Sequence, residues 1–108
     1  MKRLFAVIRS RGAAWNDALP LEEQKDWRPH ADFMNALLDG GFVVIGGPLE
    51  GTRDVLLIIR ANDADEIASR LEGDPWSGSD MLRITRIAPW TLRLGSLERR
   101  AAWEAAAG

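Results

Sequence analysis

The chain has 108 residues, 46% of them hydrophobic and 28% charged, which is enough apolar side chain for one globular core and too little length for a second. Fourteen basic against sixteen acidic residues leave a net charge of −2, so no global positive field recommends nucleic acid as a partner, and the lack of cysteine excludes a disulfide framework or a thiolate metal site. After Lys2 and Arg3 only LFAVI precedes Arg9, short of the ~7–15 apolar residues of a signal-peptide core, and no apolar run approaches the ~18 needed to span a bilayer; a cytoplasmic location without membrane contact is expected.

In chain order, RLFAVIR (3–9) is rich in β-branched and aromatic residues and reads as a first strand. SRGAAWNDALP then breaks the pattern. The first helix falls within 21–39. Pro29 lacks a backbone N–H, so the main helical segment is expected to begin near it in a first-turn position, with Leu21 to Trp27 as a preceding, kinked turn. Gly40 and Gly41 stop the helix, and FVVIGGP (42–48) reads as a second strand ending in a turn. EGTRD makes a hairpin connection to VLLIIR (55–60). Asp63, with Glu66 three positions later, is a capping-box-like start to a second helix whose inner face is Ala64, Ile67, Ala68 and Leu71, and Gly73 ends it. MLRITRI (81–87) supplies a fourth strand, closed by APW. SLERRAAWEAAA (96–107) predicts a terminal helix capped by Ser96, too short to be stable alone and therefore docked, with Trp103 as its anchor.

The order βαββαβ predicts an α+β fold, a ferredoxin-like sandwich, over residues 1–92, with residues 93–108 as a C-terminal helical extension. Two helices cover only one face of such a sheet. Yet Leu4 and Ile8 alternate with Phe5 and Val7, and Val55, Leu57 and Ile59 alternate with Leu56 and Ile58, so both faces are apolar. A homodimer packing sheet against sheet is the simplest cover; the tail folding back is the other. In this topology the first two strands run one way and the last two the other. The start of the first helix and the end of the second therefore share a rim with the ends of the first and second strands.

That rim collects His30, Asp74, Trp27, Trp76 and Arg9, Ser10 and Arg11, together with Gly46, Gly47 and Pro48. His30 is the only histidine. Phe33, Met34, Leu37 and Leu38 follow it at helical spacing, which sets it on the buried stripe, where a titratable ring needs a polar partner. On the residues alone two readings stand side by side: a site histidine, or a helix-start histidine satisfied by a backbone carbonyl. Asp74 before Pro75 likewise reads as a turn former as well as a site carboxylate. Gly46, Gly47 and Pro48 lack the spacing of a phosphate loop and read as a tight strand-end turn. One histidine, no cysteine and no carboxylate-rich loop argue against a metal, and no cofactor fingerprint is present.

The ordered combination of a strand, WRPHADFMNALLDGG, VIGGPL, an alternating strand, a short helix, GDPW and a closing strand with IAPW resembles the YCII-related (YciI-like) family over residues 2–92. The resemblance implies a dimeric α+β barrel and an acid/base pair of histidine and aspartate, here His30 and Asp74. For some members it also implies an association with the breakdown of aromatic compounds. The long first loop, Ser10 to Pro20, and the tail depart from shorter members.

Histidine, with an unperturbed pKa of ~6.5, exchanges a proton near neutrality; an aspartate on one ring nitrogen sets its tautomer and favours the imidazolium, while the helix N-terminus opposes that positive charge. Together these readings lead to an expectation of proton transfer with isomerisation or elimination on a carbonyl acid or hydroxylated aromatic. His30 and Asp74 are the catalytic candidates, and Arg9, Arg11, Trp27, Arg28, Gly47, Pro48 and Trp76 are the substrate-binding ones. The rival classes are a non-catalytic small-molecule binding or sensing module and a structural assembly domain. His30→Gln and Asp74→Asn are both expected to leave fold and dimer unchanged while abolishing activity.

Overall fold

A computed structural model of the protein describes residues 1–97. Its elements are β1 (Arg3–Arg11), a 3-10 turn (Leu21–Glu23), α1 (Trp27–Asp39), β2 (Val43–Pro48), β3 (Asp54–Ala61), α2 (Ala64–Leu71), a one-turn α3 (Pro75–Gly78) and β4 (Leu82–Pro89). The terminal helix expected over 96–107 and its anchor Trp103 fall, apart from the first two residues, outside the described part. The four strands form one antiparallel sheet in the order β2-β3-β1-β4, compatible with a ferredoxin-like fold. No helix among the described residues is long and apolar enough to cross a membrane.

Strand alternation builds the core. Phe5 and Val7 of β1 pair with Ile59 and Leu57 of β3, and on that face they bury Phe33 and Leu37 of α1 and Ile67 and Leu71 of α2. The alternate residues Leu4, Ala6, Ile8, Leu56 and Ile58 point to the other face of the sheet. In β4 the apolar residues are spaced two and then three apart, Leu82, Ile84 and Ile87, which strict alternation would send to opposite faces. A bulge resolves this. Ile8 pairs with Arg86 and Arg9 with Ile84, leaving Thr85 as the extra residue, so that Ile84 and Ile87 both reach the core cluster.

Helix ends follow local chemistry, with two departures from expectation. Gly41 adopts φ 81°, Phe42 N–H donates to the Leu37 carbonyl and Gly41 N–H to that of Leu38, a Schellman closure whose apolar pair Leu37 and Phe42 enters the core. Asp63 caps α2 by accepting from the Glu66 N–H at 2.8 Å, while Glu66 reaches one residue further back than in a standard capping box, to Asn62 N–H. Gly73 is not a left-handed stop. It is needed because a Cβ there would lie 2.9 Å from the Phe33 ring, where α1 and the α2–α3 junction touch. The segment before α1 is a separate 3-10 turn rather than a kinked helical turn, since Asp26 at φ 61° breaks helical geometry before Trp27. Leu38 is exposed; the inward stripe of α1 is His30, Phe33, Met34 and Leu37.

Candidate functional site

The shared rim is where the charged and aromatic residues meet. β1 carries Arg9 on the same face as Phe5 and Val7, so a guanidinium enters the core side of the sheet next to the Thr85 bulge. It is 1% exposed. A buried charge needs a counter-charge, and Asp74 supplies it: Arg9 Nη1 donates to Asp74 Oδ2 at 2.8 Å and Nη2 to Ser77 Oγ at 2.9 Å. Ser77 in turn donates to the Leu71 carbonyl, tying α3 to the end of α2.

Asp74 serves as both turn former and site carboxylate. As N-cap of α3 its Oδ1 accepts from the Trp76 N–H at 3.0 Å. The same carboxylate lies 2.9 Å (Oδ1) and 2.8 Å (Oδ2) from His30 Nδ1. Burial alone would raise the Asp74 pKa, but the bonds from His30, from the Trp76 amide and from Arg9 outweigh it, and the carboxyl titrates below its ordinary value. Ionised, it only accepts hydrogen bonds, so Nδ1 carries the proton and donates. In the neutral imidazole Nε2 then holds a lone pair, and no described residue is hydrogen-bonded to it.

Aromatic packing holds the ring in place. The His30 imidazole stacks on Trp76 at 3.8 Å between centroids and 9° between planes. Trp76 is fully buried, with its indole N–H donating to the Lys25 carbonyl at 2.7 Å. Trp27 flanks both rings at 5.9 Å, and Trp15 meets Trp76 edge-on at 5.4 Å.

Trp15 arrives from the long first loop, which is fastened at two points. Asp80 receives Ala13 and Ala14 N–H, and the buried Gln24 side chain bonds Asn16 N–H and the Asn16 and Leu19 carbonyls.

These groups line a cavity of about 250 Å³. Of the residues expected at the site, His30, Arg9, Arg11, Trp27, Gly47, Pro48 and Trp76 line it, and Asp74 sits directly behind His30. Arg28 does not: it is exposed on the first turn of α1, two residues from His30, and helical geometry turns it nearly to the opposite side. Trp15, Leu21, Met34, Val55, Leu57 and Leu82 also line the cavity. Met34 was legible, four residues beyond His30 on one helical face; Trp15, in a loop without periodicity, was not. The pairing of Arg9 with Asp74 was also missed, although a charge two positions after Val7 in a strand signals a buried arginine seeking a partner.

This pairing revises the expected tolerance of Asp74 to substitution, because the carboxylate neutralises a buried cation and caps a helix as well as facing His30. Among the described residues no three His, Asp or Glu side chains cluster closely enough to hold a metal ion. No protein-family model matches the chain, and no curated protein matches it in sequence.

Proposed function

We propose that this protein is a small-molecule acid/base enzyme of the YciI-like type, acting by proton transfer on a carbonyl acid or hydroxylated aromatic with isomerisation or elimination. One observation carries the reading: a buried, ionised carboxylate bonded to Nδ1 of a histidine whose Nε2 has no hydrogen-bond partner among the described residues and whose ring lines an apolar cavity. Nε2 takes a proton from carbon beside the carbonyl, or from a hydroxyl. The C–H or O–H bond breaks, the electron pair stays on the substrate as an enolate or phenolate, and His30 becomes imidazolium. Asp74 and the π face of Trp76 both favour that cation. The imidazolium then returns the proton to a different carbon in isomerisation, or hands it to a leaving group in elimination.

The short ordered motifs that resemble the YciI-like family support the same reading, as does the apolar alternate face of the sheet. That face suits a homodimer in which two sheets pack into an α+β barrel. Its strands keep the rim site of each subunit on the helix side.

The test is solvent deuterium incorporation, followed by proton NMR, across a set of 2-oxo acids, 3-oxo acids and hydroxybenzoates. Exchange or turnover by the wild type that falls by about 10²–10⁴ in His30→Gln is expected for loss of a general base. Equal rates in the wild type and His30→Gln on every responding compound would refute the assignment and favour a binding module.

A further inference from the structure

The cavity wall is not electrically neutral. Its titratable members are Arg9, Arg11 and His30. Arg9 is neutralised by Asp74 at 2.8 Å, and the same carboxylate lies 2.8 Å from His30 Nδ1. Arg11 has no carboxylate partner among the described residues.

The nearby acids are already engaged. Asp80, two positions before the Leu82 that pairs with Arg11, is held by Arg83 at 2.8 Å and by Ala13 N–H. Asp17 is held by Arg53, and Asp54 accepts from Ser10 Oγ. The Arg11 guanidinium instead lies over the Trp15 ring, 4.5 Å from its centroid. No side-chain hydrogen bond among the described residues uses the guanidinium N–H donors, which leaves them available for bidentate capture of a carboxylate.

Resting on the acid/base reading above, we propose that the site selects small monoanions, with Arg11 rather than Arg9 or Arg28 holding the anionic group and the tryptophan-lined cavity holding an apolar body of one ring or similar size. Volume sets the size: a dry cavity of ~150 Å³ takes benzene, and this one, at about 250 Å³, takes a ring with one or two small substituents. Charge sets the class. An anion entering a wall that carries one guanidinium unpaired among the described residues offsets its charge, whereas a cation would meet Arg11 with no described acid beside it. Arg9 is unsuited to the task because its counter-ion is built in, and Arg28 because it lies outside the cavity.

Titration calorimetry with benzoate, 4-hydroxybenzoate and 2-oxopentanoate, each beside its neutral amide, tests this on the full chain. In the wild type at least one acid is expected to bind about tenfold or more tighter than its amide, as one charge-assisted contact implies. Arg11→Gln removes that preference while leaving amide binding within about twofold, and Arg11→Lys restores part of it because the charge returns without the fork. Circular dichroism of both variants checks that the fold is intact.

Acids that bind no better than amides, acids that fail to bind at all, or a preference unchanged in Arg11→Gln would each overturn the proposal. Its failure is separable from that of the catalytic reading. Arg11-dependent binding without His30-dependent exchange leaves the anion site standing and removes the enzyme, and His30-dependent exchange on neutral compounds alone does the reverse.

Discussion

Replacing Asp74 by asparagine removes one charge and strands another. In the folded protein the carboxylate accepts from Arg9 Nη1, His30 Nδ1 and the Trp76 amide, and both it and Arg9 are 1% exposed. Asparagine keeps one acceptor oxygen for the α3 cap but turns an amide donor toward either Arg9 or His30, both of which also donate. The guanidinium is left buried without a counter-charge, a change that costs about 3–5 kcal/mol when one partner of a buried pair is removed. His30→Gln leaves the Arg9–Asp74 pair and the cap in place and loses a hydrogen bond and a ring stack, about 1–2 kcal/mol. Against a total stability of about 5–15 kcal/mol, the first variant is crippled and the second is not.

Urea unfolding followed by tryptophan fluorescence and circular dichroism, at one fixed protomer concentration, measures both. Asp74→Asn should lower the midpoint with the slope unchanged, and its melting temperature should fall by roughly 12–40 °C, taking about 4–8 °C per kcal/mol for a domain near this size. Adding Arg9→Met to Asp74→Asn removes the stranded cation and should recover part of the loss. If Asp74→Asn proves no less stable than His30→Gln, or if Arg9→Met deepens its defect, the carboxylate is not the structural counter-ion described above.

The same carboxylate gives a pH dependence with a definite sign. Its folded pKa lies below the ordinary 3.8, so its contribution is complete above that value and is lost as pH falls through the depressed one; wild type and Asp74→Asn should converge in stability in strong acid and be fully separated by pH 3.8 and above. A constant gap at all pH values would contradict this. Gly12→Ala places a Cβ 2.2 Å from the Asp80 carbonyl oxygen, a backbone atom with little room to give, and should cost about 1–3 kcal/mol by chemical denaturation. Sedimentation at low micromolar concentration should find at least a dimer, because the sheet presents apolar residues on the face away from its helices; a cooperative monomer would sink that argument. For turnover, His30→Gln and Asp74→Asn should not add in the double variant, as groups acting as one unit do not, and additive losses in kcat would separate their roles.

Local sequence was sufficient wherever a signal repeats at short range. Strand alternation, the stripe from His30 to Leu37, the Asp63 cap and the paired glycines at 40 and 41 each depend on neighbours within a few residues, and each element appears where those signals lie. The element order also sufficed to bring His30 and Asp74 to one rim, because antiparallel pairing leaves few ways to lay βαββαβ on a sheet.

What the tertiary structure decided lies across long separations. Arg9 and Asp74 are 65 positions apart, and nothing near either one announces the other. Which arginine is neutralised and which has no acidic partner among the described residues depends on the bulge at Thr85, on the strand register, and on where Asp80, Asp17 and Asp54 find their own partners. Trp15 reaches the cavity only because Gln24 and Asp80 fasten an aperiodic loop. A buried charge is satisfied by whatever packing brings within 3 Å of it, and that distance is a property of the assembled layers rather than of any local run of residues.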